Sequence, residues 1–289
     1  MTPVTLLLVL ASAAIHATWN LWAKQIGDRA KSPTLMWTLT ALSTLFYAPF
    51  ALVMLVRSGA HLTPLALGAI AGSGVIHIGY FLLLLAGYRS GELSLVYPIA
   101  RGTGPLLSAA GAIALLGERP TPYSALGTVL IVAGVITLTW QSGISHDGRI
   151  AAGVRFGLAT GAVIALYTLW DGTAVKRLAL PPLVYYWFGD ALRTLLLAPA
   201  ALQDRAGVAL LWRSVRGRVL AIAALSPLSY ILILLALRQG AVSRIAPARE
   251  LSILFGALLG GQVLKERQRV RRLVAAAAFV CGVVALAWA

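Results

Sequence analysis

Tyr80-Phe81-Leu82-Leu83-Leu84-Leu85-Ala86 is an unbroken apolar run, and Tyr230-Ile231-Leu232-Ile233-Leu234-Leu235-Ala236 restates it 150 residues later. Neither run alternates apolar with polar residues, so a lipid-facing β-strand is excluded. Each lies within a stretch of about 20 apolar residues, the length of helix that crosses roughly 30 Å of hydrocarbon. Working outward from these two gives ten such stretches, at about 4–23, 33–56, 64–87, 93–116, 121–140, 150–170, 181–202, 218–238, 243–264 and 270–289. Turn and charge clusters separate them, and Pro33, Pro64, Pro122 and Pro181/Pro182 stand where a helix entry tolerates a missing N–H. The expected fold is an all-α integral membrane protein of about ten transmembrane helices.

Composition says the same. The 289 residues are 59% hydrophobic and 11% charged, against about 45–50% and 25% in soluble domains. Too little polar surface exists to cover a soluble core of this size. The +15 net charge sits in short clusters between apolar runs, as topology signals do, without the aromatic interleaving of a nucleic-acid site. Nucleic acid is therefore excluded as a partner; the lipid bilayer is the expected surrounding, at the inner cell membrane. Met1–Pro3 carries no basic side chain, so no cleavable signal peptide is expected. The one cysteine, Cys281, rules out a disulfide scaffold and reads as a buried apolar filler. Odd-numbered loops hold 14 basic residues and even-numbered loops 6, which by the positive-inside rule sets the odd loops in the cytoplasm and both termini outside.

The two halves echo each other beyond the opening pair. Ile15-His16-Ala17-Thr18-Trp19-Asn20 lines up with Leu166-Tyr167-Thr168-Leu169-Trp170-Asp171. Pro98 aligns with Pro247, and Leu116-Gly117-Glu118-Arg119 with Leu264-Lys265-Glu266-Arg267. Five helices per unit is an odd number, so the two copies should lie inverted in the membrane, as in many secondary transporters. Ten spans, the 5+5 repeat, and Gly117-Glu118-Arg119 and Lys265-Glu266-Arg267 closing the fourth and ninth helices resemble the drug/metabolite transporter superfamily of the EamA type. The resemblance implies two EamA-like five-helix units, 1–141 and 150–289, forming a carrier of small organic solutes, often an exporter of amino acids or other metabolites.

Charge at membrane depth costs at least ~2.5–3.5 kcal/mol and marks candidate sites. Arg101 lies eight residues into the fourth helix and Glu250 seven residues into the ninth, so both should approach the midplane. Their neighbourhoods, Tyr97-Pro98-Ile99-Ala100-Arg101-Gly102-Thr103-Gly104-Pro105 and Ala246-Pro247-Ala248-Arg249-Glu250, read as helices broken at Pro98, Pro105 and Pro247, with carbonyls freed towards a cavity. Arg101 could bind a substrate carboxylate through its planar fork, with Glu250, alone or with Arg249, neutralising it in the empty state or receiving a substrate amine. A standing Arg101–Glu250 pair between the halves is the alternative. Tyr97, Tyr80 and Tyr230 are expected at the cavity. His16, His77, Trp19 and Trp170 are expected either there or in an interfacial belt, where Trp22 belongs, and His16 or His77 could carry a proton.

Asp190 and Arg193 can satisfy one another at i,i+3 on the seventh helix, and Arg155 can snorkel. Glu118 and Glu266 read as surface partners of Arg119 and Arg267. Gly68/Gly72, Gly157/Gly161 and Gly256/Gly260 read as close-packing sites within a monomer or weak homodimer. No metal-ligand spacing, phosphate loop or catalytic triad is present, so neither a cofactor nor an enzymatic activity is expected. A membrane-embedded enzyme or a non-transporting subunit are the rival functions.

Overall fold

The computed structural model describes residues 1–26, 31–90, 93–139, 149–178, 180–264 and 269–289. Among them there are eleven helices: α1 (Pro3–Ile26), α2 (Ser32–Ser58), α3 (Pro64–Ser90), α4 (Leu93–Leu116), α5 (Pro122–Thr139), α6 (Arg149–Arg177), α7 (Pro182–Gln203), α8 (Arg205–Gln239), α9 (Val242–Ala248), α10 (Leu251–Leu264) and α11 (Arg269–Trp288). No strand occurs in the described residues. Six of the helices, α1 to α4, α6 and α8, are long and apolar enough to cross a membrane. Leu45, Phe46, Phe50 and Val53 of α2 and Leu273, Val280 and Val284 of α11 face outward, while Arg101, Asp171, Asp190, Arg193 and Glu250 are buried. Apolar outside and charged inside is the distribution a hydrocarbon solvent selects.

The structure departs from the sequence reading at four places. The ninth apolar stretch is two helices, because after Pro247 the chain turns at Arg249–Glu250. There the bonds shorten to i→i+3, with Glu250 N–H donating to Pro247 O and Ile253 N–H to Glu250 O. By contrast α4 runs unbroken through Pro98 and Pro105. A proline deletes one bond, and the surrounding turns of α4 hold against α6. The segment 203–217, expected as a loop, is helical from Arg205, since Leu211 and Val215 bury against Ile26, Val219 and Ile222; α8 kinks at Val215 (φ −142°). Cys281 is exposed on the outer face of α11 instead of buried.

Helix pairing is extensive: α4 with α6, α5 with α11, α1 with α8 and α10, α2 with α7 and α8, α3 with α6 and α7. The α4–α6 seam is close because glycines remove side chains from it. A Cβ on Gly161 would stand 2.0 Å from Thr103 Oγ1 and 3.2 Å from Gly104 N, and one on Gly157 2.8 Å from Ile99. Gly157/Gly161 therefore serve packing within one chain, whereas a Cβ on Gly68 or Gly256 meets open space. Gly161→Val should lower stability by about 1–3 kcal/mol through overpacking, seen as a lower thermal midpoint in detergent; an unchanged midpoint would mean the seam has slack.

At the end of α4, Gly117 adopts a left-handed φ of 68°, and the Glu118 amide returns to Ala112 O at 3.1 Å. This Schellman-type closure carries Glu118 inward. The expected pairing with Arg119 is not what forms. Glu118 Oε1 accepts the Val242 N–H at 2.8 Å and Oε2 the Ser243 N–H at 2.9 Å, with Lys176 Nζ 3.6 Å away. The counterpart expectation, Glu266 with Arg267, lies outside the described residues.

Candidate substrate cavity

Seven helices and the α9–α10 turn surround a cavity of about 310 Å³. Its deep wall carries Tyr80 and His77 (α3), Arg101 (α4), Tyr167 (α6), Tyr186, Asp190 and Arg193 (α7), Tyr230 (α8) and Arg249. Its shallower wall carries His16, Trp19 and Ala23 of α1, Leu35 and Leu39 of α2, Phe81 and Ile222. Ala23 and Leu35 stand near the α1 and α2 ends that adjoin the first loop, so the lining runs from mid-helix towards that end of the bundle.

Arg101 and Glu250 meet as the sequence suggested. Arg101 Nε lies 2.9 Å from Glu250 Oε2, and Nη2 donates to Ser252 Oγ at 3.3 Å. Glu250 sits behind the guanidinium, away from the main cavity. Asp190 and Arg193 pair at 2.9 Å across one helical turn, with the guanidinium 5.1 Å from the Tyr186 ring centre.

Arg249 is held differently. Its guanidinium lies 5.6 Å from the Tyr167 ring centre and 5.2 Å from that of Tyr230, and Nη1 donates to the Tyr167 hydroxyl at 3.3 Å. Among the described residues no carboxylate lies within 4.0 Å of it. Aromatic faces attract a cation without neutralising it, so this charge remains available to an anion.

Asp171 forms the floor behind the tyrosines. It is 0% exposed, accepts from the Tyr185 hydroxyl at 2.8 Å and the Tyr230 hydroxyl at 2.5 Å, and lies 3.8 Å from His77 Nε2. His77 stacks on Tyr167 at 4.6 Å between ring centres. His16 makes an edge contact with Trp19, whose Nε1 donates to Ser229 Oγ at 3.3 Å.

Of the residues singled out from the sequence, Arg101, Tyr80, Tyr230, His77, His16 and Trp19 line this cavity. Trp170 does not: it is 40% exposed, its Nε1 donates to Ala69 O, and its ring fills the space beside Gly72. Tyr97 packs against the main apolar core. Trp22 packs on Ile26 and Leu211. The alignment of the two halves already paired Tyr167 with His16 and Asp171 with Asn20; sequence reasoning passed over Tyr186 and used Arg249 only as a neighbour of Glu250.

A charged, aromatic-walled cavity inside a bundle with an apolar exterior marks a multi-pass membrane protein. Residues 3–140 match the profile of the EamA-like transporter family. That family lies within the drug/metabolite transporter superfamily, to which the resemblance of the paired motifs pointed. A solved crystal structure with no functional designation is similar over 99% of this chain and 96% of its own, at 16% identity and a TM-score of 0.74, a likeness of fold. Comparison with curated proteins gives no match.

Proposed function

We propose that the chain is a secondary transporter of small organic carboxylates such as amino acids, bound at Arg249 in the cavity. The carrying observation is that guanidinium, which faces the cavity without a carboxylate partner while Arg101 and Arg193 have theirs. An ammonium on the same solute would find Asp190, whose Oδ2 has no hydrogen-bond partner, and an apolar body would rest on Trp19, Leu35, Phe81 and Ile222. Alternating access would come from two inverted five-helix halves, 1–141 and 150–289, rocking about the cavity.

Reciprocal packing supports the inversion: α1 meets α8 as α6 meets α3, and α2 and α5 meet their own counterparts α7 and α11. Thr44 and Thr194, 150 residues apart, share a hydrogen bond. Arg101 and Glu250 are the positions brought into register when Pro98 is aligned with Pro247. The positive-inside bias puts the first loop, and so the open end of the cavity, in the cytoplasm, the arrangement for loading a solute for export across the inner membrane.

Counterflow in proteoliposomes tests this with labelled L-leucine, L-phenylalanine, benzoate and succinate. The wild type should exchange at least one carboxylate solute. Arg249→Gln should raise the half-saturation concentration about 10- to 100-fold, the scale of a lost charge-assisted contact of about 1.5–3 kcal/mol. Exchange unaffected by Arg249→Gln would remove this site, and no exchange of any solute would favour an enzyme or a non-transporting subunit.

A further inference from the structure

The two ring nitrogens of His77 have opposite surroundings. Nδ1 lies 2.9 Å from Ser73 O, one turn back on α3, and 3.4 Å from Ser73 Oγ; the carbonyl, the nearer of the two, can only accept, which favours a hydrogen on Nδ1. In the neutral ring Nε2 then presents a lone pair. That lone pair is buried, has no hydrogen-bond partner, and faces Asp171 Oδ2 at 3.8 Å. Asp171 accepts two phenolic hydrogens, which suits the ionised carboxylate. Two acceptors therefore face each other at 3.8 Å, and one proton on Nε2 converts them into an imidazolium–carboxylate pair.

Building on the carrier reading above, we propose that His77 with Asp171 is the proton-binding site of the transporter, and that a proton binds together with the solute carboxylate. The proton comes from cavity water, occupies Nε2, and returns to water when the cavity faces the other side. The surrounding groups set the sign of the coupling. Asp171 and Tyr167 from α6 and Tyr230 from α8 face the ring, Tyr185 of α7 holds Asp171, and Arg193 of α7 and Arg249 bring positive charge towards it. Arg193 is neutralised by Asp190, and Arg101 of α4 by Glu250. Among the described residues, Arg249 has no carboxylate within 4.0 Å and is left to meet an anion. A solute carboxylate on Arg249 cancels the charge that opposes a proton on His77, and linkage makes the effect mutual. Net movement then follows the combined gradients, so export proceeds where the outward solute gradient exceeds the inward proton gradient, and uptake where it does not.

Two measurements test this. In nanodiscs, the nitrogen-15 spectrum of labelled histidine at pH 8, with His77 assigned by its loss in His77→Gln, should report the Nδ1–H tautomer; the Nε2–H tautomer would overturn the proposal without reference to any solute. In proteoliposomes loaded with a pH dye, downhill entry of whichever panel solute exchanges fastest should acidify the lumen, one proton per solute. His77→Gln and Asp171→Asn should each cut the protons moved per solute at least about tenfold and flatten the pH profile of half-saturation between pH 6 and 8. Exchange without acidification in the wild type, or acidification per solute unchanged in His77→Gln, overturns the coupling alone. Absence of exchange of every solute overturns the carrier reading and the coupling with it.

Discussion

Arg101→Ala should lower the stability of the folded protein by about 3–5 kcal/mol and abolish solute exchange. Removing one partner of a buried ion pair leaves the other charge desolvated and uncompensated, and that penalty is of this size. Glu250 is 2% exposed, and its carboxylate would be stranded between α4 and the α9–α10 turn. The pair also joins α4 to the α9–α10 turn, so its loss loosens that contact. Thermal unfolding in detergent and counterflow measure the two effects. The exchanged pair, Arg101→Glu with Glu250→Arg, should recover most of the stability, because the two positions occupy corresponding places in the halves and face each other. Recovery of both stability and exchange would make the pair a brace. Recovery of stability alone would mean that a guanidinium at position 101 also meets the solute. A melting temperature unchanged in Arg101→Ala would contradict the geometry described.

The second large effect is expected at Glu118. Its carboxylate ties the end of α4 to the start of α9, with Lys176 at the end of α6 beside it. These ends lie opposite the α1–α2 end reached by Ala23 and Leu35, so the clamp ties helix ends together on the other side of the bundle. Burial on its own would raise the Glu118 pKa, but the donors from Ser243 and Val242 and the charge of Lys176 outweigh it and hold the carboxyl below its usual range. A carboxyl with a depressed pKa in the clamped state strengthens that state at neutral pH, and the contribution disappears as pH falls through the depressed value. Glu118→Ala should accelerate hydrogen exchange of the Val242 and Ser243 amides at least about tenfold, since a hydrogen bond to a charged group contributes about 1.5–3 kcal/mol. Glu118→Gln keeps one accepting oxygen and should fall between. Unchanged exchange in Glu118→Ala would show that α9 holds its position without the clamp.

What the sequence disclosed follows from what local chemistry can encode. Runs of apolar residues report helices directly, which is why the boundaries of α2, α3 and α4 could be read within a few residues. Arg101 and Glu250 were legible because charge at that depth must have a partner. The partner of Glu118 was not: a carboxylate that binds backbone amides 124 residues away leaves no trace in either segment. Proline was over-read at Pro98 and Pro105, since a missing N–H bends a helix but breaks it only when tertiary contacts favour another path, as they do after Pro247. Asp171 was legible as the counterpart of Asn20, but its partners were not, because the hydroxyls of Tyr185 and Tyr230 reach it from other helices.

Within the bundle, three guanidinium groups (Arg101, Arg193, Arg249) are matched by three carboxylates (Asp171, Asp190, Glu250), so the interior is formally neutral. Among the described residues, basic side chains such as Arg57, Arg119 and Arg155 are exposed at the periphery. Each basic side chain near an anionic leaflet is worth about 1 kcal/mol of attraction, so the belt of phospholipid around this protein should be enriched in acidic headgroups. The molecule thus shapes its own annulus while keeping its core electrically balanced.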